Sequence, residues 1–121
     1  MIPFLQELNK EFKKVCPESY LEYNASQNVV YPYLTYTFNG EDLEVQEGFY
    51  IDVEVFDNCG ANTFNLEVLT HNLKKHFKDN VILNDDVLLQ FEYMTSKTIP
   101  TTSNEIRRRW IQLYCKVDWR R

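Results

Sequence analysis

The chain has 121 residues, 44% of them apolar and 15% aromatic, with eight Tyr, eight Phe and two Trp. That content fits one packed domain burying roughly two-thirds of the surface its unfolded form would expose, and it argues against a disordered chain. Thirteen basic residues against 18 acidic give a net charge of −5, which disfavours a protein whose main task is gripping a phosphate backbone.

Pro3 suits the first turn of a helix. Phe4, Leu5, Leu8, Phe12 and Val15 follow on one face, with Gln6, Glu7, Asn9, Lys10 and Lys13 on the other, so an amphipathic helix is expected as far as Cys16-Pro17. Glu18 to Gln27 is polar apart from Tyr20, Leu21 and Tyr23, and reads as a loop pinned by aromatic anchors. In Val29 to Phe38, Leu34, Tyr36 and Phe38 share one face and Tyr33, Thr35 and Thr37 the other, the period of a strand. Pro32 cannot donate to a ladder, so this strand either lies at a sheet edge or begins pairing after the proline. Asn39-Gly40 signals a tight turn, and the acidic run Glu41 to Gly48 is either a short ribbon or a protruding arm.

Phe49, Ile51, Val53 and Val55 alternate with Tyr50, Asp52 and Glu54 as a strand with one buried face. Asp57-Asn58-Cys59-Gly60 breaks that period, after which Leu66, Leu69, Leu73 and Phe77 recur at helical spacing. Lys74, Lys75, His76 and Lys78 gather where the helix dipole favours positive charge, and the helix is expected to stop at Asp79-Asn80. Val81 to Leu83 is long enough only for brief pairing, and Asn84-Asp85-Asp86 turns the chain. Val87, Leu89, Phe91 and Tyr93 then alternate with Leu88, Gln90 and Glu92. Thr95 to Glu105, rich in Thr and Ser around Pro100 and without apolar period, reads as a long mobile connection. Ile111, Leu113, Cys115, Val117 and Trp119 oppose Trp110, Gln112, Tyr114, Lys116 and Asp118 in a last strand. The order predicts one α+β domain over residues 1–121, an antiparallel sheet of about four main strands with two helices packed on one face. The other face is expected to be polar with scattered aromatics.

Candidate chemistry is sparse. His71 and His76 lie about 140° apart around their helix, too far for a shared metal, and read as surface histidines. Asp52 and Glu54 point to one side of their strand, as paired catalytic carboxylates do, but no histidine or nucleophile accompanies them. Cys59, beside Gly60, is the one thiol near a helix N-terminus, where the dipole could lower its pKa. Cys16, Cys59 and Cys115 form no CxxC pair and read as free thiols in a reducing compartment. Gly40, Gly48 and Gly60 build no phosphate-binding motif. Arg107-Arg108-Arg109, with Arg120 and Arg121, is the main basic concentration, yet alternation sends Arg108 to the side opposite Arg107 and Arg109. No apolar run approaches the roughly 18 residues that span a bilayer, and Met1-Ile2-Pro3-Phe4 does not begin an export signal, so an intracellular protein is expected. No catalytic residue, cofactor or metal site is expected.

Four stretches carry a family resemblance: the first helix with its tyrosine-bearing loop; Tyr31-Pro32-Tyr33-Leu34-Thr35-Tyr36; Tyr50-Ile51-Asp52-Val53-Glu54-Val55-Phe56-Asp57 with the helix after it; and Arg109-Trp110-Ile111-Gln112-Leu113-Tyr114. Together they resemble the tail terminator (tail completion) proteins of long-tailed bacteriophages with non-contractile tails. The resemblance covers most of the chain through short hydrophobic motifs. It implies a structural virion protein, assembled in the bacterial host cytoplasm, that forms a homo-oligomeric and usually hexameric ring at the head-proximal end of the tail tube. There the ring ends tube polymerisation and presents the head-docking surface. The implied partners are the major tail tube protein and head-tail connector proteins, with genome DNA passing through without specific binding.

On this reading the subunit interface is expected to use Tyr33, Thr35, Asp52, Glu54, Arg107, Arg108, Arg109 and Tyr114. A symmetric ring repeats one heterologous contact, so the three arginines are expected to face the Glu41 to Glu47 arm of the next subunit. Asp52 and Glu54 are expected to line the channel and repel phosphate. The alternatives are another head-tail connector component, such as a head-closure or adaptor protein, or a small regulatory or nucleic-acid-binding module with salt-sensitive DNA affinity.

Overall fold

A computed structural model describes residues 2–22, 24, 29–38, 48–83, 87–99 and 105–119. Its elements run α1 (Ile2–Val15), β1 (Ser19–Leu21), β2 (Tyr33–Phe38), β3 (Gly48–Asn58), α2 (Phe64–Phe77), β4 (Val81–Leu83), β5 (Val87–Ile99) and β6 (Ile106–Trp119). The tight turn at Asn39-Gly40, the acidic stretch 41–47, the turn at Asn84-Asp85-Asp86, the anchor Tyr23, and Arg120 and Arg121 lie outside the described residues.

The sheet departs from the expected four antiparallel strands. It has six strands in the order β1-β2-β3-β6-β5-β4, and it is mixed, because β1 runs parallel to β2. Two short strands, β1 and β4, raise the count from four to six, β4 through the brief pairing expected of Val81 to Leu83, and β1 makes the sheet mixed. Ser19–Leu21 is too brief to show a period and carries a buried Ser19 in place of an apolar residue, yet Leu34 N donates to Glu18 O and Glu22 N to Tyr36 O, both at 2.9 Å. Backbone bonding, not side-chain pattern, makes this strand. It also turns β2 into an internal strand that starts pairing after Pro32.

A separate departure, in strand length and not in strand number, is at Thr95 to Glu105, expected as a loop, of which residues 100–104 lie outside the described residues. Thr95–Ile99 instead continues β5 and pairs with β6 as far as Arg108, after a bulge between Tyr93 and Thr95. Thr95 through Thr98 are exposed, so this end of the hairpin runs past the core, and no apolar alternation is needed to hold a ladder that its partner strand already supplies.

Both helices pack on the face that carries Leu34, Ile51, Val53, Leu89, Phe91, Ile111 and Leu113. Phe12 of α1 stacks on Tyr36 at 4.4 Å between ring centroids and meets Phe77 of α2 at 4.8 Å, and Phe77 meets Phe91 at 5.1 Å. These rings fasten both helices and two strands together. Burial pushes the Tyr36 hydroxyl up to about 12, while that hydroxyl donates to Asn9 Oδ1 at 3.1 Å.

Beside the rings lies a polar clasp. The Glu11 side chain is 5% exposed and takes Lys14 Nζ at 2.7 Å on one oxygen and His76 Nε2 at 3.0 Å on the other. Burial pushes the Glu11 carboxyl up, but the hydrogen bonds and charges of Lys14 and His76 outweigh it and hold the group below its ordinary 4.5. A carboxyl depressed in the folded state adds stability above its unfolded pKa and loses it as pH falls through the folded value.

Two outcomes follow. Phe12→Ala is expected to cost about 3–5 kcal/mol in chemical denaturation, and a cost under about 1 kcal/mol would contradict the placement of that ring at the junction. Between neutral pH and about pH 3, the natural chain is expected to lose stability that Glu11→Gln does not lose. Parallel stability–pH curves would contradict the clasp.

Candidate interaction face

Residues pointing away from the helices form a second surface, built row by row from the strand register. Tyr33 of β2 pairs with Phe56 of β3, which pairs with Arg108 of β6. The Tyr33 and Phe56 rings stack at 4.7 Å and 16°, Arg108 places its guanidinium 5.1 Å from the Phe56 centroid, and its Nη2 donates to Glu54 Oε2 at 2.6 Å. Tyr31 and Tyr20 extend the cluster, at 5.5 Å and 6.4 Å from Tyr33. Burial, then the neighbouring Tyr31, push the Tyr33 hydroxyl above its ordinary value.

The next rows place Thr35, Glu54, Trp110 and Lys97 side by side, then Thr37, Asp52, Gln112 and Thr95. Lys97 Nζ sits 4.9 Å above the Trp110 ring. Trp110 Nε1 and Gln112 Nε2 both donate to Asp52 Oδ1, at 3.1 and 3.4 Å. Further along, Tyr50 meets Tyr114 at 5.0 Å, and a Cβ added at Gly48 would collide with the Tyr114 phenol. Glycine at 48 therefore gives that ring its resting place. Among the described residues, no helix or strand covers this face.

Six of the eight residues expected at the interface, Tyr33, Thr35, Asp52, Glu54, Arg108 and Tyr114, come together here. Arg107 and Arg109 turn to the helix side, as alternation requires: Arg107 Nε donates to Gly60 O at 2.9 Å, and Arg109 Nε to Glu67 Oε1 at 3.0 Å. All three arginines thus have partners within the chain, and the acidic stretch 41–47 that they were expected to meet lies outside the described residues. Glu54 is paired in charge by Arg108, while Asp52 is hydrogen-bonded by the neutral Trp110 and Gln112 and keeps its charge on the face.

Phe56, Trp110, Tyr50 and Tyr31 belong to the face as much as the residues singled out from sequence. The period of β6 already assigned Trp110 to this side, and continuing that of β3 past Glu54 places Phe56 there too. Lys97 carried no such signal, because its strand lacks apolar alternation.

The remaining candidates are quiet. Among the described residues no group of His, Cys, Asp and Glu has metal-binding geometry. All three cysteines are free. Burial first, and then Asp57, push the Cys59 thiol up instead of down, which removes the activation a helix N-terminus could supply. Burial pushes Cys115 up to about 12. No helix among the described residues is long and apolar enough to cross a membrane.

No family model matches the chain, and no curated protein does. Among solved structures, 11 chains match. One of them, whose name carries no functional word, has a TM-score of 0.64 at 15% identity, over 95% of this chain and 90% of its own. Similarity at that identity speaks for the fold alone.

The Arg108 and Glu54 side chains are 31% and 36% exposed, so screening limits their ion pair to roughly 0.2–1 kcal/mol. A double-mutant cycle with Arg108→Ala and Glu54→Ala is expected to return a coupling in that range. A coupling above about 2 kcal/mol would mean the pair is sealed from solvent and the face is not open.

Proposed function

We propose that the chain is a non-catalytic, ring-forming structural subunit of the tail terminator type, capping the head-proximal end of a phage tail tube and presenting the surface that docks onto the head. The observation that carries the reading is the sheet face that no helix or strand covers among the described residues, rich in Tyr, Trp and Phe and bearing Arg108, whose rings and charges already hold one another in place. Those residue types dominate the energetic centres of protein interfaces, and side chains ordered before contact lose less freedom on binding. The short motifs shared with tail terminators supply the biological setting.

An enzyme needs polar groups converging on a space where a substrate can sit. On this face Asp52 accepts from Trp110 and Gln112 and Glu54 from Arg108, so neither carboxylate is held as a free base toward the threonines and lysine of its row. The balance of Asp52, Glu54 and Glu92 against Arg108, Lys97 and Lys116 suits a protein partner better than a phosphate backbone.

Light scattering coupled to size-exclusion chromatography is expected to find a closed oligomer, hexameric if the resemblance carries to ring size, visible as rings in negative-stain microscopy. Added to a polymerising tail tube protein, the chain is expected to shorten the tubes and sit at one end. A monomer at every concentration, with tube length unchanged, would overturn the proposal. The double substitution Tyr33→Ala with Trp110→Ala is expected to weaken assembly about thirtyfold or more, the scale of an interface hot spot, while circular dichroism stays native. Unchanged assembly would remove this face from the contact.

A further inference from the structure

The arginines' intrachain partners leave the acidic stretch Glu41-Asp42-Leu43-Glu44-Val45-Gln46-Glu47 without the basic surface first expected for it. A different basic surface lies on the opposite side of the molecule from the open sheet face. α1 carries three lysines against two glutamates and α2 two lysines against one glutamate, in a chain whose net charge is −5. Between the two helices runs a cleft of about 620 Å³, lined by Glu11, Lys14, Asn72, Lys75, His76 and Asn80 among others.

Its one carboxylate is already spent. Glu11 is buried beneath the cleft and bonded to Lys14 and His76. Lys75 is exposed on the wall and pairs with no carboxylate among the described residues, and the same holds for Lys10 and Lys78 on the flanking segments. The Asn72 amide adds N–H donors, as does the Asn80 amide, which also reaches Glu11 Oε1 at 3.5 Å. The cleft therefore offers positive charge and hydrogen-bond donors to an anionic chain.

We infer that the cleft between α1 and α2 receives the acidic 41–47 stretch of a second copy of this chain. The inference rests on the ring reading. A head-to-tail contact pairs two different patches of the chain, and the open sheet face and the helix layer are two such unlike surfaces. The 41–47 stretch lies in sequence between β2 and β3, and its four carboxylates match the broadest excess of lysines among the described residues. Opposite charge then fixes which neighbour's face is met and in which register.

Charge exchange between two chains tests it. One variant carries Glu41→Lys, Asp42→Lys, Glu44→Lys and Glu47→Lys; the other carries Asn72→Glu and Lys75→Glu, both at exposed helix positions where native circular dichroism checks the fold. Each variant alone is expected to assemble only at concentrations about tenfold higher or more than the natural chain, and mixing the two is expected to restore assembly into mixed oligomers, because each reversed surface then meets its complement. Reversed variants that assemble like the natural chain would overturn the cleft as the docking site while leaving the ring intact. Failure of the mixture, with assembly of a chain carrying both sets of changes, would place the contact within one chain and overturn the second copy as occupant. A natural chain that never assembles would instead defeat the ring reading itself.

Discussion

Side chains alternate across a β-strand, so the residues that fill the space between sheet and helices also decide which residues stand on the far side. In β3 and β6 this constraint is strict. Phe49, Ile51, Val53 and Val55, with Ile111, Leu113, Cys115 and Val117, go down onto Leu8, Phe12, Leu66, Leu73 and Phe77. Tyr50, Asp52, Glu54 and Phe56, with Arg108, Trp110, Gln112 and Tyr114, have no choice but to go up. A slip of one residue in the β3–β6 register would bury either the Asp52 and Glu54 carboxylates of β3 or Arg108 of β6, so the apolar core fixes the composition of the open face as firmly as its own.

That open face is not a neutral by-product. Its aromatic rings meet along the strand-pairing direction, Arg108 is matched in charge with Glu54 across strands, and Lys97 lies over the Trp110 ring. Such cross-strand pairs stabilise the sheet by fractions of a kcal/mol each, and they also hold Tyr, Trp and Arg in fixed orientations toward the exterior. The same sheet that anchors the helices thus displays a rigid surface, and the two layers give the molecule two unlike sides, one aromatic and charge-balanced, the other lysine-rich. Unlike sides are what a head-to-tail ring requires.

Much of this was legible in the sequence, and the failures have physical causes. β3, β6 and α2 announced themselves because each buries one face over many residues, which imposes a long unbroken period. β1 did not, since three residues held by backbone bonds to β2 leave no pattern in side chains. The outer half of β5 did not, since Thr95 through Thr98 sit beyond the core, and both their faces are free to be polar. The alternation of Arg107, Arg108 and Arg109 was readable, but the partners of Arg107 and Arg109 were not, because Gly60 and Glu67 are brought near only by the turn into α2. Tertiary neighbours of that kind leave no trace in spacing.

The claim on which the account turns is that the aromatic sheet face becomes buried between copies of the chain. Hydroxyl-radical footprinting, read by mass spectrometry across a dilution series that spans assembly, tests it most directly. Tyr33, Tyr50, Trp110 and Tyr114 are predicted to lose reactivity together as oligomers form, while the buried Phe12 stays protected throughout. Equal labelling of those four residues in the dilute and the assembled protein would contradict the account.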